Sequence, residues 1–171
     1  MVRYDAANTG AAPDATGPSA VLTAQWETGR TLGTPTRPTA LDEMVFTNGI
    51  NGICGFTTGG AYTTTRSELN PAPVAVIRDR VYATRAGAVF TLDAKTGDER
   101  WVFTPPIETN RLTAPAVAGD TVYVVGQHPT QSPTVWALAA LDGSVRWRVE
   151  LGGETAGPPV VTDNRLYCVT T

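Results

Sequence analysis

His128 is the only histidine in this chain of 171 residues, and it stands in the Pro-bounded stretch Gly126-Gln127-His128-Pro129-Thr130-Gln131-Ser132-Pro133-Thr134. A catalytic imidazole needs a nucleophile to deprotonate and an acid to orient it. No Gly-x-Ser-x-Gly turn is present to expose a serine. His128 therefore reads as a surface residue. Cys54 and Cys168 are the only cysteines, and with one histidine they fall short of the four ligands of a structural zinc site. They lie in segments far apart in the chain, so no disulfide is expected and both read as buried free thiols. Gly152-Gly153 lacks the strand-to-helix context of a phosphate loop. No catalytic, cofactor-binding or metal-binding residue is assigned from these patterns.

Binding is the chemistry left open, and it depends on which loops the fold brings together. The elements that position those loops are short and regular. Val81-Tyr82-Ala83-Thr84, Val89-Phe90-Thr91-Leu92 and Arg100-Trp101-Val102-Phe103 are β-branched and aromatic, as strands require. Gly, Asp, Asn or Pro bounds each of them and sets a turn. No window shows apolar residues at helical spacing, and 17 glycines with 13 prolines would interrupt most helices. The expected class is all-β.

The strands repeat. Phe46, Tyr82, Tyr123 and Tyr167 mark equivalent places at intervals of roughly 36 to 44 residues. In the clearest copy, strands are expected at 72–77, 80–84, 88–92 and 99–104, with turns at 78–79, 85–87 and 93–98. In the last turn, the Asp93 carboxylate can accept backbone N–H groups two and three residues on, while Gly97 can take a positive φ. Asp93, Thr96 and Gly97 are thus read as structural. Asn48-Gly49, Asn51-Gly52 and Asp163-Asn164 read as turn signals in other copies. Four short antiparallel strands, repeated at this period, stack radially as the blades of a propeller.

At these residues the chain resembles the quinoprotein-like, or PQQ-like, β-propeller repeat family, whose blades carry Ala-x-Asp-x-x-Thr-Gly-x-x-x-Trp. The segment from Thr91 through Asp93, Thr96 and Gly97 to Trp101 matches all but the first position. The segment from Ala137 to Trp147 keeps Ala, Gly143 and Trp, but has Ala139 for the Asp and Asp142 for the Thr. The copy at Gly55 to Tyr62 is short by a residue and places Tyr62 where Trp is expected. The opening, Tyr4-Asp5-Ala6-Ala7-Asn8-Thr9-Gly10 with Trp26 downstream, is similar to the start of secreted members.

The expected architecture is a partial β-propeller of about three to four four-stranded antiparallel blades. An N-terminal extended segment covers 1–20 and the repeat domain 21–171. Within it, a strand at 21–27 precedes blades at about 35–66, 71–104 and 113–150 and an incomplete blade at 157–171. Trp101 and Trp147 are expected to be buried at equivalent blade positions. Closed propellers use 4–8 blades, so the chain reads as a fragment of a larger ring. Its first residues are polar and carry no signal peptide; a signal or lipid anchor upstream of them is the matching expectation.

The loops between blades and those between second and third strands should share one face, formed by 104–113, 126–134 and 151–157. Its polar groups are Glu108, Asn110, Arg111, Gln127, His128, Gln131 and Glu154, and this is the candidate binding face. The carboxylates Glu108 and Glu154 belong to it, but sequence does not pair them. Net charge is −3, which argues against nucleic acid as a partner, since phosphate binding wants a basic stripe; Lys95 is the only lysine beside twelve arginines. There is no apolar run of the length that crosses a membrane as a helix.

The resemblance implies a non-enzymatic binding or assembly scaffold of the cell envelope. Its expected partner is a protein or peptide, held by the loop face or by exposed sheet edges, with self-association through unpaired edges as a further expectation. The alternative it implies is part of a pyrroloquinoline-quinone-dependent dehydrogenase, with the quinone and calcium as cofactors. The family's enzymes often carry a vicinal Cys-Cys pair, and this chain has no adjacent cysteines. Outside that alternative no cofactor is expected.

Overall fold

The structure, a computed structural model, describes residues 24–27, 38–49, 52–66, 74–85, 87–106, 111–128, 130–153, 157–162 and 165–171. Every regular element among them is a strand. The first sheet is the antiparallel meander β1 (Thr39–Leu41), β2 (Met44–Gly49), β3 (Gly52–Thr57) and β4 (Tyr62–Arg66). The second is β5 (Ala75–Ile77), β6 (Arg80–Arg85), β7 (Ala88–Asp93) and β8 (Glu99–Phe103). The third holds β10 (Ala116–Ala118), β11 (Thr121–Gln127), β12 (Thr134–Ala139) and β13 (Val145–Glu150). The short β9 (Arg111–Leu112), which sequence did not suggest, pairs with the end of β11. A two-stranded sheet of β14 (Val160–Thr162) and β15 (Arg165–Tyr167) follows. The chain is all-β, and its open, stacked sheets form part of a propeller. The segment 1–20 lies outside the described residues. Of the strand expected at 21–27, only 24–27 is described, and it has no strand pairing.

The sheets stack face to face, and strand alternation decides which side chain meets which neighbour. In the second sheet, Val81, Ala83, Phe90 and Leu92 join a core with Phe46, Ile53, Val74 and Val76. The alternate residues Tyr82 and Val89 join a second core with Trp101, Val122, Trp136 and Leu138. Both faces of β6 and β7 are therefore covered, which is why these strands read as nearly unbroken apolar runs.

The same backbone bonds recur in each sheet and fix the equivalence of the copies. Gly60 N–H donates to Thr57 O, Gly97 to Asp93 and Gly143 to Ala139. Just before this turn each third strand pairs with the fourth across a one-residue bulge. The register then places Thr64 opposite Gly55, Trp101 opposite Thr91 and Trp147 opposite Ala137. Thr64, not Tyr62, holds the tryptophan position of the first sheet. Tyr62 pairs with Phe56 as Glu99 pairs with Leu92. The bulge and the shorter first turn hide this from a plain count along the sequence.

Trp101 is 9% exposed, but Trp147 is 41% exposed, against the expectation that both are buried. The repeat alignment itself holds. Tyr123 lies 5.8 Å from Trp147, as Tyr82 lies 6.2 Å from Trp101, centroid to centroid. The difference is the neighbour. Trp101 faces the complete third sheet, whereas the sheet that follows the third holds only the β14–β15 pair among the described residues. Val149, on the same side of β13, is exposed with it.

Two of the assigned turn signals are strand residues: Asn48 and Gly49 end β2, and Asn48 is buried. The turn residue Asn51 and the pair Asp163-Asn164 lie outside the described residues, while Gly52 begins β3. Cys54 is buried as expected, but Cys168 is only half-buried just past β15, because little packs over that strand. Neither cysteine is in a disulfide.

The first two strands of each complete sheet are joined by two residues, Asp42-Glu43, Arg78-Asp79 and Gly119-Asp120. The leading residue of each turn has positive φ: 52°, 55° and 60°. Glycine suits that conformation, whereas a side chain such as Arg78 is strained in it by roughly 1–2 kcal/mol. Arg78→Gly is expected to raise stability by about 0.5 kcal/mol, the relieved strain exceeding the added chain entropy. A urea unfolding midpoint that falls on this substitution would contradict the assignment.

Candidate functional site

The stack has two ends. At one end lie the loops between sheets and those between second and third strands, the face singled out by sequence. Arg111 is exposed and its backbone pairs with that of Gln127 through β9. This brings the end of the inter-sheet segment onto the 126–134 loop, as expected of a shared face. His128 follows directly and is half-buried, its Nδ1 enclosed without a hydrogen-bond partner among the described residues. Gln131 is exposed at the loop tip. Glu108, Asn110 and Glu154 lie outside the described residues. Among the described residues no three His, Cys, Asp or Glu side chains stand close enough to hold a metal ion.

At the opposite end the turns after the third strands carry the repeat motif. Asp93 Oδ1 accepts the backbone N–H groups of Lys95 and Thr96, both at 2.9 Å, and its other oxygen meets the Arg100 guanidinium. In the third sheet Ala139 stands in place of that aspartate, and Arg146 pairs instead with Asp120 at 2.6 Å. Asp142 takes over the role of Thr96. It accepts the Ser144 N–H at 3.0 Å, as Thr96 Oγ1 accepts that of Asp98 at 3.2 Å. Two divergent sequences thus close the same turn.

The backbone N–H of Thr96, then Arg100, then the N–H of Lys95 hold the Asp93 carboxyl down to about 2 from an ordinary 3.8. A lowered folded-state pKa contributes stability that is complete above the unfolded value and is lost as pH falls through the folded one. The Asp93 contribution should therefore be full above pH 4 and vanish between about pH 4 and 2. In acid titrations followed by unfolding, Asp93→Asn should flatten the loss of stability across that window. An unchanged slope would show that the carboxylate is not what the turn relies on.

These turns are also where the sheets lock together. The Trp101 indole N–H donates to the Ala140 carbonyl at 3.1 Å. The same oxygen accepts from Arg80 at 2.9 Å and the Tyr82 hydroxyl at 3.3 Å, and Arg80 also reaches Leu141 O at 2.8 Å. Burial, opposed by Arg80, raises the Tyr82 hydroxyl above its ordinary pKa, so it stays protonated and donating. Trp26 does the equivalent at the first sheet, donating to Thr58 O at 3.0 Å and packing on Gly60.

Sequence reasoning missed a cavity at this end. It lies between the first and second sheets, has a volume of about 490 Å³, and is lined by Met44, Phe46, Val76, Arg78, Ala94 and Lys95 among others. The corresponding space between the second and third sheets is about 150 Å³. Nothing in the sequence announces it, because it arises from what the first sheet lacks at its interface.

The comparisons with known proteins bear on the whole of this arrangement. Residues 23–128, and again 85–171, match the PQQ-type repeat family described as outer membrane protein assembly factor BamB. The chain belongs to this family. A BamB from Moranella endobia (strain PCIT) is 37% identical over 113 residues, covering 61% of this chain and 28% of its own length. The crystal structure of BamB from Moraxella catarrhalis superposes with a TM-score of 0.67 at 22% identity, over 78% of this chain and 39% of that one. The quinohemoprotein alcohol dehydrogenase of Comamonas testosteroni superposes with a TM-score of 0.58 at 21% identity, over 68% of this chain and 21% of its own. Likenesses at such identities establish the propeller fold and no chemistry. The chain spans less than half the length of each of these proteins.

Proposed function

We propose that the chain is a non-enzymatic scaffold that binds polypeptides during the assembly of outer membrane proteins in the cell envelope. The observation that carries this reading is the family match along nearly the whole chain, together with relatives bearing the name of an assembly factor. The geometry suits the role. Tryptophan-locked sheets give a rigid frame, and rigid frames present loops and edges to partners. Arg111, Gln127, His128 and Gln131 supply hydrogen-bonding groups on the loop face, and the open edges of the sheets offer strand pairing as a second mode. The reading uses no quinone or calcium.

Deleting the gene in its host tests the proposal. The expected result is a smaller folded, heat-modifiable fraction of outer-membrane β-barrel proteins, restored by re-expression. An unchanged folded fraction would overturn it. A photo-crosslinking residue at Gln131 adds the location: adducts there, and not at Asp98 on the opposite end, place the partner on the loop face.

A further inference from the structure

Two interfaces of this chain seat an indole in the same way. Trp26 donates to Thr58 O and packs on Gly60; Trp101 donates to Ala140 O and packs on Gly143. The third equivalent seat is Ala94 with Gly97. The backbone proves the equivalence: Thr58 N–H donates to Glu43 O, Ala94 to Asp79 and Ala140 to Asp120. No tryptophan of this chain serves that seat. Thr64 holds the register position from which one would reach it. The other two donors are missing as well, because the first sheet has Met44 and Phe46 at the places of Arg80 and Tyr82. No donor among the described residues reaches the Ala94 carbonyl, and the cavity of about 490 Å³ opens beside it.

We propose that this cavity is a seat for the indole ring of a tryptophan carried by a polypeptide partner, with the ring N–H bonding the Ala94 carbonyl. The cavity offers an indole an apolar wall of Leu41, Met44, Phe46 and Val76 and the Ala94 carbonyl as acceptor, and the carboxylates Asp42, Glu43 and Asp79 line it too. Phe46 stands where Tyr82 lies beside Trp101 in the next interface, so an aromatic ring is already in place to meet the guest. The first and second sheets both have four strands, so the space does not come from an incomplete blade. The source of the ring, a polypeptide, rests on the scaffold reading above.

The probe is N-acetyl-tryptophanamide, titrated into the full chain and followed by amide NMR. Saturable shifts at Val76, Ala94 and Lys95 are expected. The 1-methylindole analogue, which lacks the N–H, should bind roughly 3- to 10-fold more weakly, as the loss of one hydrogen bond implies. Thr64→Trp supplies the missing ring from within and should abolish binding while raising the melting temperature. Phe46→Tyr adds a hydroxyl that competes for the Ala94 carbonyl; it should weaken the probe and erase the difference between probe and analogue. Should Thr64→Trp fail to fold, Phe46→Tyr decides alone. Absent shifts, shifts elsewhere, or binding indifferent to these substitutions would overturn the proposal. The two readings separate in the deletion strain. If wild type and folded Thr64→Trp restore assembly equally, the seat has no partner and the scaffold stands. If deletion itself has no effect, the scaffold fails and the titration still decides the seat.

Discussion

Trp101→Ala is expected to destabilise the chain by about 3–5 kcal/mol, and Trp147→Ala by only about 1–2 kcal/mol. The two residues hold the same position in successive copies of one motif, so the difference isolates what a neighbouring sheet contributes. Trp101 is enclosed between Tyr82 and the turn of the third sheet, and its N–H ends on Ala140 O. Truncation would empty that space, and the surrounding strands cannot collapse into it without breaking their own ladders. Trp147 has Tyr123 beside it but is 41% exposed, so less apolar surface returns to water when it is lost. Urea unfolding of the two variants measures the gap, and equal losses would show that stacking against the next sheet is not the source of stability. Fluorescence quenching gives an independent check: Trp147 should be accessible to acrylamide and Trp101 shielded.

Gly143→Ala is expected to cost about 3 kcal/mol, more than most substitutions that add a single methyl. Two effects combine. The residue has φ of 74°, which strains any side chain by roughly 1–2 kcal/mol. A Cβ there would also sit 2.6 Å from Trp101 Cε3, so the indole must lift off the turn. Gly119 is the control. Its φ is 60°, but nothing lies within 4 Å of a Cβ placed on it. Gly119→Ala should therefore cost only about 1 kcal/mol, the backbone term alone. Equal effects at the two glycines would mean that the ring does not rest on the turn. Gly60 should behave like Gly143, since its Cβ would meet Trp26 Cγ at 2.6 Å.

Much of the fold is legible in the chain because it is local. Alternation within Val81–Leu92, the two-residue turn at Arg78-Asp79 and the Asp93–Gly97 turn each involve neighbours in sequence. Strands expected at 80–84, 88–92 and 99–104 lie within about a residue of those found. The loop face was partly legible too, since β9 does join Arg111 to Gln127. The cavity was not, because it depends on three absences at an interface: no tryptophan at 64, no arginine at 44 and no tyrosine at 46. An absence has no motif.

The sequence by itself determined the repeating unit, its strand order, its turn glycines and the family to which the chain belongs. These follow from backbone conformational preference and side-chain alternation over a few residues. Only the tertiary structure decided which tryptophan is buried, that Thr64 rather than Tyr62 holds the docking position, and where open space remains between sheets. Those outcomes depend on a bulge that shifts register and on which sheet stands opposite. A residue's burial is a property of the surface placed against it, and that surface comes from a segment some forty residues away.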